Sequence, residues 1–300
     1  MSAFITRNLT SIIILASIAF GCLLPETGLA LKPYLSYLLM LLMFISALGI
    51  EPKQISETAK NLPLMALGLF MVFIFTPLLA FPSKLFFSPI VFTGILLAFS
   101  APSAIATTFW AGVFKGDTAY ALILSTIANV ISVVTIPATM LLATGTAATV
   151  DLNWMTLNLA QLILIPIALA FLLKRIRTVN WKRATAYGSK IQLGILVLLI
   201  WGSIAPGARY AMENPAAFAQ LNVYMLIALA IAFAAAYILG RKFSHKQAIT
   251  TGIAACVKNA ALALVIGITL YGSEILPPLI ANLIAQNLLL MPLQLIVKEK

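Results

Sequence analysis

The sequence predicts an all-α integral membrane protein of ten transmembrane helices. Composition, the segmental placement of apolar residues and the distribution of basic residues all predict it. Of 300 residues, 62% are hydrophobic and 9% charged, against roughly 45–50% and about 25% in a soluble domain. That leaves too little polar surface to cover a water-soluble globule. The excess arrives in runs long enough to cross a hydrocarbon core of roughly 30 Å. The net charge of +11 sits mostly in short loops between those runs. This placement argues for membrane lipid, and against nucleic acid, as the surrounding partner.

Apolar runs fall near 8–25, 33–50, 61–81, 88–114, 118–144, 153–173, 189–208, 221–240, 247–271 and 275–297. The first also resembles a signal peptide, with Arg7, an apolar stretch and Gly28-Leu29-Ala30; a spanning helix is the reading adopted. Ten crossings place both termini on one side. That side carries Arg7, Lys53, Lys60, Lys115, Lys174, Arg175, Arg177, Lys182, Arg183, Lys190, Arg241, Lys242, Lys246, Lys298 and Lys300. The other side carries Lys32, Lys84 and Arg209. Basic loops mark the cytoplasmic face, so both termini are expected in the cytoplasm and the protein at the inner (cell) membrane. Cys22 and Cys256 lie inside apolar runs without paired spacing, which suits core packing better than a disulfide or metal site.

A repeat is visible. Residues 88–142 and 245–297 share a plan: an interrupted apolar run, a short polar turn, then a helix with Ala-Asn and a later proline. Ala128-Asn129 with Pro137 parallels Ala281-Asn282 with Pro292. The expected units are residues 1–150 and 151–300, five helices each. An odd number per half means opposite insertion, the plan of secondary transporters whose sites lie at the midplane between broken helices.

The fourth run is broken around Ser100-Ala101-Pro102-Ser103, where Pro102 removes a donor and clashes with the preceding turn. Ser103, Thr107 and Thr108 can pair the freed backbone groups or line a cavity. The ninth is interrupted at Cys256-Val257-Lys258-Asn259. Lys258 stands twelve residues past Lys246 and thirteen before Tyr271, roughly 18 Å from either end at 1.5 Å per residue. Its stem cannot reach a headgroup, and a cation at that depth costs about 2.5–3.5 kcal/mol on insertion scales. A functional, cavity-facing lysine is the default reading; a structural lysine bonded to carbonyls is the competing one. All eight acidic residues fall in loops or at ends, so no carboxylate in a span neutralises it. Ser125, Asn129, Asn259, Asn282, Gln286 and Asn287 either line the cavity or bond helix to helix. No phosphate loop, zinc motif or nucleophile elbow is evident, so an enzyme is not expected.

These residues resemble the bile acid:sodium symporter family over essentially the whole chain. The matching stretches are Met43-Phe44 through Gly49 ahead of Pro52, Pro102 through Lys115-Gly116-Asp117, and Val257-Lys258-Asn259. The resemblance implies broken fourth and ninth helices crossing at the midplane. It implies a core domain of helices 3–5 and 8–10, against which a panel of helices 1, 2, 6 and 7 rocks. It also implies alternating access and an organic-anion substrate, bile-acid-like or a carboxylate. The family's first sodium site falls here on Thr107, Thr108, Ala121 and Ser125, of which three keep a side-chain oxygen. Its second site falls on Val72, Ala254 and Lys258, where every family ligand is lost and a cation stands.

The expected function is therefore secondary transport of a small organic anion approaching Ser103, Thr107, Thr108, Lys258 and Asn259. Lys258 is expected in place of the second sodium, and no other cofactor is expected. Burial disfavours a charged amine, which opens proton coupling beside sodium-free exchange. The alternatives are a symporter using a residual sodium site at Thr107, Thr108 and Ser125, or a channel or sensor on the same scaffold.

Overall fold

The computed structural model describes residues 2–50, 61–144, 151–176, 179, 181, 187–206 and 212–296. Lys53, Lys60, Arg177, Lys182, Arg183, Arg209, Lys298 and Lys300 lie outside the described residues, as do Pro52 and the acidic Glu51, Glu57 and Glu299. The described chain is helical, with no strand beyond one isolated bridge. In order the principal helices are α1 (Ser2–Leu23), α2 (Leu35–Leu48), α3 (Leu62–Phe70), α4 (Pro89–Ser100), α5 (Ala106–Val113), α6 (Thr118–Thr144), α7 (Leu152–Leu173), α8 (Gly188–Ile204), α9 (Pro215–Gly240), α10 (His245–Cys256), α11 (Ala260–Tyr271) and α12 (Leu276–Ile296), with a short helix Pro25–Leu29 between the first two. α3 runs on through a π-helical turn, Met71–Phe75, into a short segment, Thr76–Leu78.

Local chemistry fixes the starts. Asn61 accepts from Leu64 N at 3.3 Å, Asp151 from Asn153 N at 2.8 Å and Ser244 from Gln247 N at 3.2 Å, each filling an orphan donor of a first turn. Pro89 and Pro215 open α4 and α9, where the missing N–H costs nothing.

Among the described residues six segments are long and apolar enough to cross a membrane: Pro25–Leu48, Leu62–Leu85, Thr118–Thr144, Asn153–Leu173, Pro215–Gly240 and Ser273–Leu293. Shorter apolar helices occupy Ile12–Leu23, Pro89–Ser100, Lys190–Ile204 and Ala260–Tyr271. Burial is uneven. Within the most apolar window, 72% of the Ser273–Leu293 segment is buried, but only 28% of Pro25–Leu48 and of Asn153–Leu173. α12 and the neighbouring α4, α10 and α11 form the centre, α9 packs against α10 and α12 with only 33% of its window buried, and α1, α2, α7 and α8 pack mainly with one another.

The turn between α5 and α6 shows what the Lys-Gly-Asp triplet does. Lys115 adopts a left-handed φ of 58°. Gly116 lies so close to α10 that a Cβ there would stand 2.7 Å from Thr250 Oγ1. Asp117 N donates to that hydroxyl at 2.8 Å, and Asp117 Oδ1 accepts from Tyr120 N at 2.9 Å. The triplet caps α6 and ties it to α10.

Candidate functional site

The two interruptions meet. α4 stops at Ser100, and Ala101, with φ −57° and ψ 144°, takes the extended conformation that a following proline imposes. α10 stops at Cys256 with no proline, and Val257 is extended at φ −95°, ψ 90°. Across the gap Ala104 N donates to Val257 O at 2.9 Å and Asn259 N to Pro102 O at 2.8 Å. These two bonds pair Ser103 with Lys258 in an antiparallel bridge. Each break supplies partners for backbone groups freed in the other, as any non-helical backbone at membrane depth requires.

A polar network backs the bridge. Ser103 Oγ and Thr107 Oγ1 lie 2.8 Å apart. Asn129 Nδ2 donates to Ser103 O at 3.3 Å and to Ser125 O at 2.7 Å. Asn259 Nδ2 donates to Asn129 Oδ1 at 3.0 Å, while Asn259 Oδ1 accepts from Leu262 N at 3.2 Å and caps α11. The Lys258 amide donates to Gln286 Oε1 at 3.0 Å. Lys258 itself is fully buried. Its Nζ donates to Val72 O at 2.8 Å, within the π-helical turn of the third span.

A cavity of about 730 Å³ opens beside the crossing. Its walls come from α2, α5, α8, α12 and the Val257–Ala261 stretch. Thr108, Lys258, Asn259, Gln286 and Asn287 belong to the lining. The Thr108 hydroxyl is buried without a hydrogen-bond partner among the described residues. Ser103, Thr107, Ser125, Asn129 and Asn282 are not part of the wall. Ser103 and Thr107 are fully buried behind it and bonded to each other. Lys258 contributes to the wall, but the carbonyl that holds its nitrogen does not.

The opposite wall carries residues that sequence reasoning missed. Gln192 Nε2 donates to Ser46 Oγ at 2.6 Å, joining α8 to α2, and both residues line the cavity with the exposed Lys190. The signal was available: Ser46 and Gln192 are polar positions near the same end of two apolar runs.

The positions that the family resemblance links to sodium can be tested as donor sets. Val72 and Ala254 share one apolar cluster with Tyr120 and Leu124. That cluster, with an ammonium beside it, does not fit a metal cation. At the other position Thr107 is engaged with Ser103, and Ser125 Oγ donates to Ala121 O at 2.8 Å. Among the described residues, no group of three or more His, Cys, Asp or Glu side chains could hold a metal ion. The three hydroxyls are a weak, neutral set for a cation.

Residues 9–299 match the sequence profile of one family across nearly the entire chain. The chain belongs to the SBF-like CPA transporter family. The resemblance to bile acid:sodium symporters is thus one of family type, and the family is one of membrane transporters. The chain is also similar to YbaS of Bacillus subtilis (strain 168), described as an uncharacterized protein, with 24% identity over 282 residues covering 91% of each chain. With six long apolar helices, membership of the SBF-like family makes this a multi-pass membrane protein.

Proposed function

We infer that this protein is a secondary active transporter of a small organic anion. It crosses the membrane ten times as two inverted five-helix repeats, with both termini in the cytoplasm. The shorter apolar helices then complete the count: Ile12–Leu23 and Lys190–Ile204 as whole spans, and Pro89–Ser100 and Ala260–Tyr271 as halves of broken ones. Substrate enters the cavity between a core built on α3–α6 and α9–α12 and a panel of α1, α2, α7 and α8. Rocking of one against the other exposes the cavity to alternate sides.

The observation that carries this reading is the crossing itself. Two interrupted helices meet beside a cavity, and a fully buried ammonium sits at the second break, bonded to the third span. Ala104, Ile105 and Ala106 at the start of α5, and Ala260 and Ala261 at the start of α11, line one cavity. Helix N-termini carry partial positive charge, and Lys190 adds a full one at the rim. Together with the unpartnered Thr108 hydroxyl they favour an anionic group such as a carboxylate. Lys258 takes the second sodium's place as a tethered cation, held by Val72 O instead of by carboxylate and amide ligands.

The test is uptake into sealed liposomes of isotopically labelled small monocarboxylates and a conjugated bile acid, in sodium or choline, with and without a pH gradient. Uptake of at least one anion, equal in sodium and choline, is the expected result. Strict sodium dependence would remove Lys258 from the second ion's role and favour a symporter working through Thr107, Thr108 and Ser125. Unitary conductance in planar bilayers without exchange would replace the carrier with a channel.

A further inference from the structure

Among the described residues the Lys258 nitrogen meets one acceptor, and that acceptor has lost its usual donor along its own helix. In an α-helical register Val72 O would accept from the N–H of residue 76. Thr76 N instead donates to Met71 O, five residues back, which is the π-helical pattern. In a continued π register Val72 O would accept from residue 77. That residue is Pro77, which has no N–H. Neither register supplies Val72 O with a donor, so the third span leaves it unpaired at membrane depth, where such groups are costly. The Lys258 ammonium supplies the missing donor at 2.8 Å.

Thr76 supports the arrangement from its other side. Its hydroxyl lies 2.7 Å from Met71 O and 3.2 Å from Ala255 O. The first contact reinforces the widened turn. The second fixes that turn against the last residues of α10, three positions before Lys258. Val72, Thr76 and Lys258 are all fully buried. Turns of this kind concentrate at functional sites.

We propose that the Thr76-Pro77 pair builds a cation seat at the Val72 carbonyl, which Lys258 permanently fills; Thr76 and Pro77 are its positioning residues. The ligand class of the seat is a small primary ammonium. This deepens the reading that Lys258 stands in for an ion and rests on it, yet its test needs no transport substrate.

Removing the lysine stem should leave a seat that a free amine can enter. The thermal midpoint of the full-length Lys258→Ala variant in micelles is titrated with methylammonium and ethylammonium chloride, against tetramethylammonium chloride at equal ionic strength. The expected result is a saturable rise with the primary amines in Lys258→Ala. No such rise is expected in the unsubstituted protein or in Lys258→Ala/Pro77→Ala, where the backbone N–H restored at position 77 takes the carbonyl. A response equal with and without Pro77, or no amine-specific response, would overturn the proposal. If Lys258→Ala does not fold, amide exchange at residue 77 decides. Exchange should be slower in Pro77→Ala/Lys258→Met than in Pro77→Ala, because the lysine no longer competes; equal rates would overturn it. Amine rescue together with sodium-dependent uptake would leave the seat standing while the transport reading failed.

Discussion

The first and second interruptions share a backbone and differ in where their side chains reach. At the first, Ser103 turns to Thr107, and Asn129 closes the group through Ser103 O and Ser125 O. Every one of those partners lies between residues 103 and 129. At the second, Lys258 crosses to Val72, 186 positions away in sequence. The asparagines at matching places in the repeat also differ. Asn129 spends both ends of its amide, whereas Asn282 is fully buried with neither amide atom partnered among the described residues. The comparison teaches that similar sequence plans can yield one break whose bridging side chain is satisfied locally and another whose side chain depends on a distant span, although the two backbones depend on each other.

The harshest challenge to that contrast is Lys258→Glu. It places a carboxylate against a carbonyl in a dry site, and an uncompensated buried charge costs about 3–5 kcal/mol. Loss of folded protein, read by size-exclusion elution and thermal midpoint, is expected; wild-type stability would show that the side chain does not depend on Val72. Asn129→Leu comes next. It removes the bonds to Ser103 O and from Asn259, each worth about 0.6 and up to about 1.7 kcal/mol between membrane helices. A stability loss of about 1–3 kcal/mol on that scale is expected in a reversible unfolding titration. Ser103→Ala is milder, since it removes a single side-chain bond, the one to Thr107 Oγ1. A loss of about 0.5–1.5 kcal/mol, the net worth of one hydrogen bond, is expected by the same titration. Asn282→Leu should cost nothing or raise the midpoint, because replacing an unpaired buried amide by an apolar group of similar shape removes a desolvation burden. A clear loss there would reveal a partner and erase the asymmetry.

Much of the fold was legible because the bilayer constrains length and polarity together. Among the described residues each apolar run lies mostly in helix, and the break at Pro102 follows from a missing donor. The second break has no proline; Lys258 and the capping Asn259 were its only marks. What lay hidden depended on side-chain direction. Ser103 and Thr107 were expected to face substrate, yet they lie behind the cavity wall, since a kink says nothing about which way its hydroxyls turn. Thr76-Pro77 sits in an otherwise ordinary apolar run, and its effect on register shows only once the hydrogen bonds are followed. On the wall opposite the crossing Ser46 and Gln192 pair because two helices distant in sequence come side by side.

The bridge between Ser103 and Lys258 also bears on biogenesis. Pro102 O and Ala104 N find their partners only in Asn259 and Val257, which leave the ribosome more than 150 residues later. A nascent chain must therefore hold an unsealed segment in the lipid or at its boundary until the C-terminal half arrives. Insertion of the early half is provisional, and the last spans to be made complete the first.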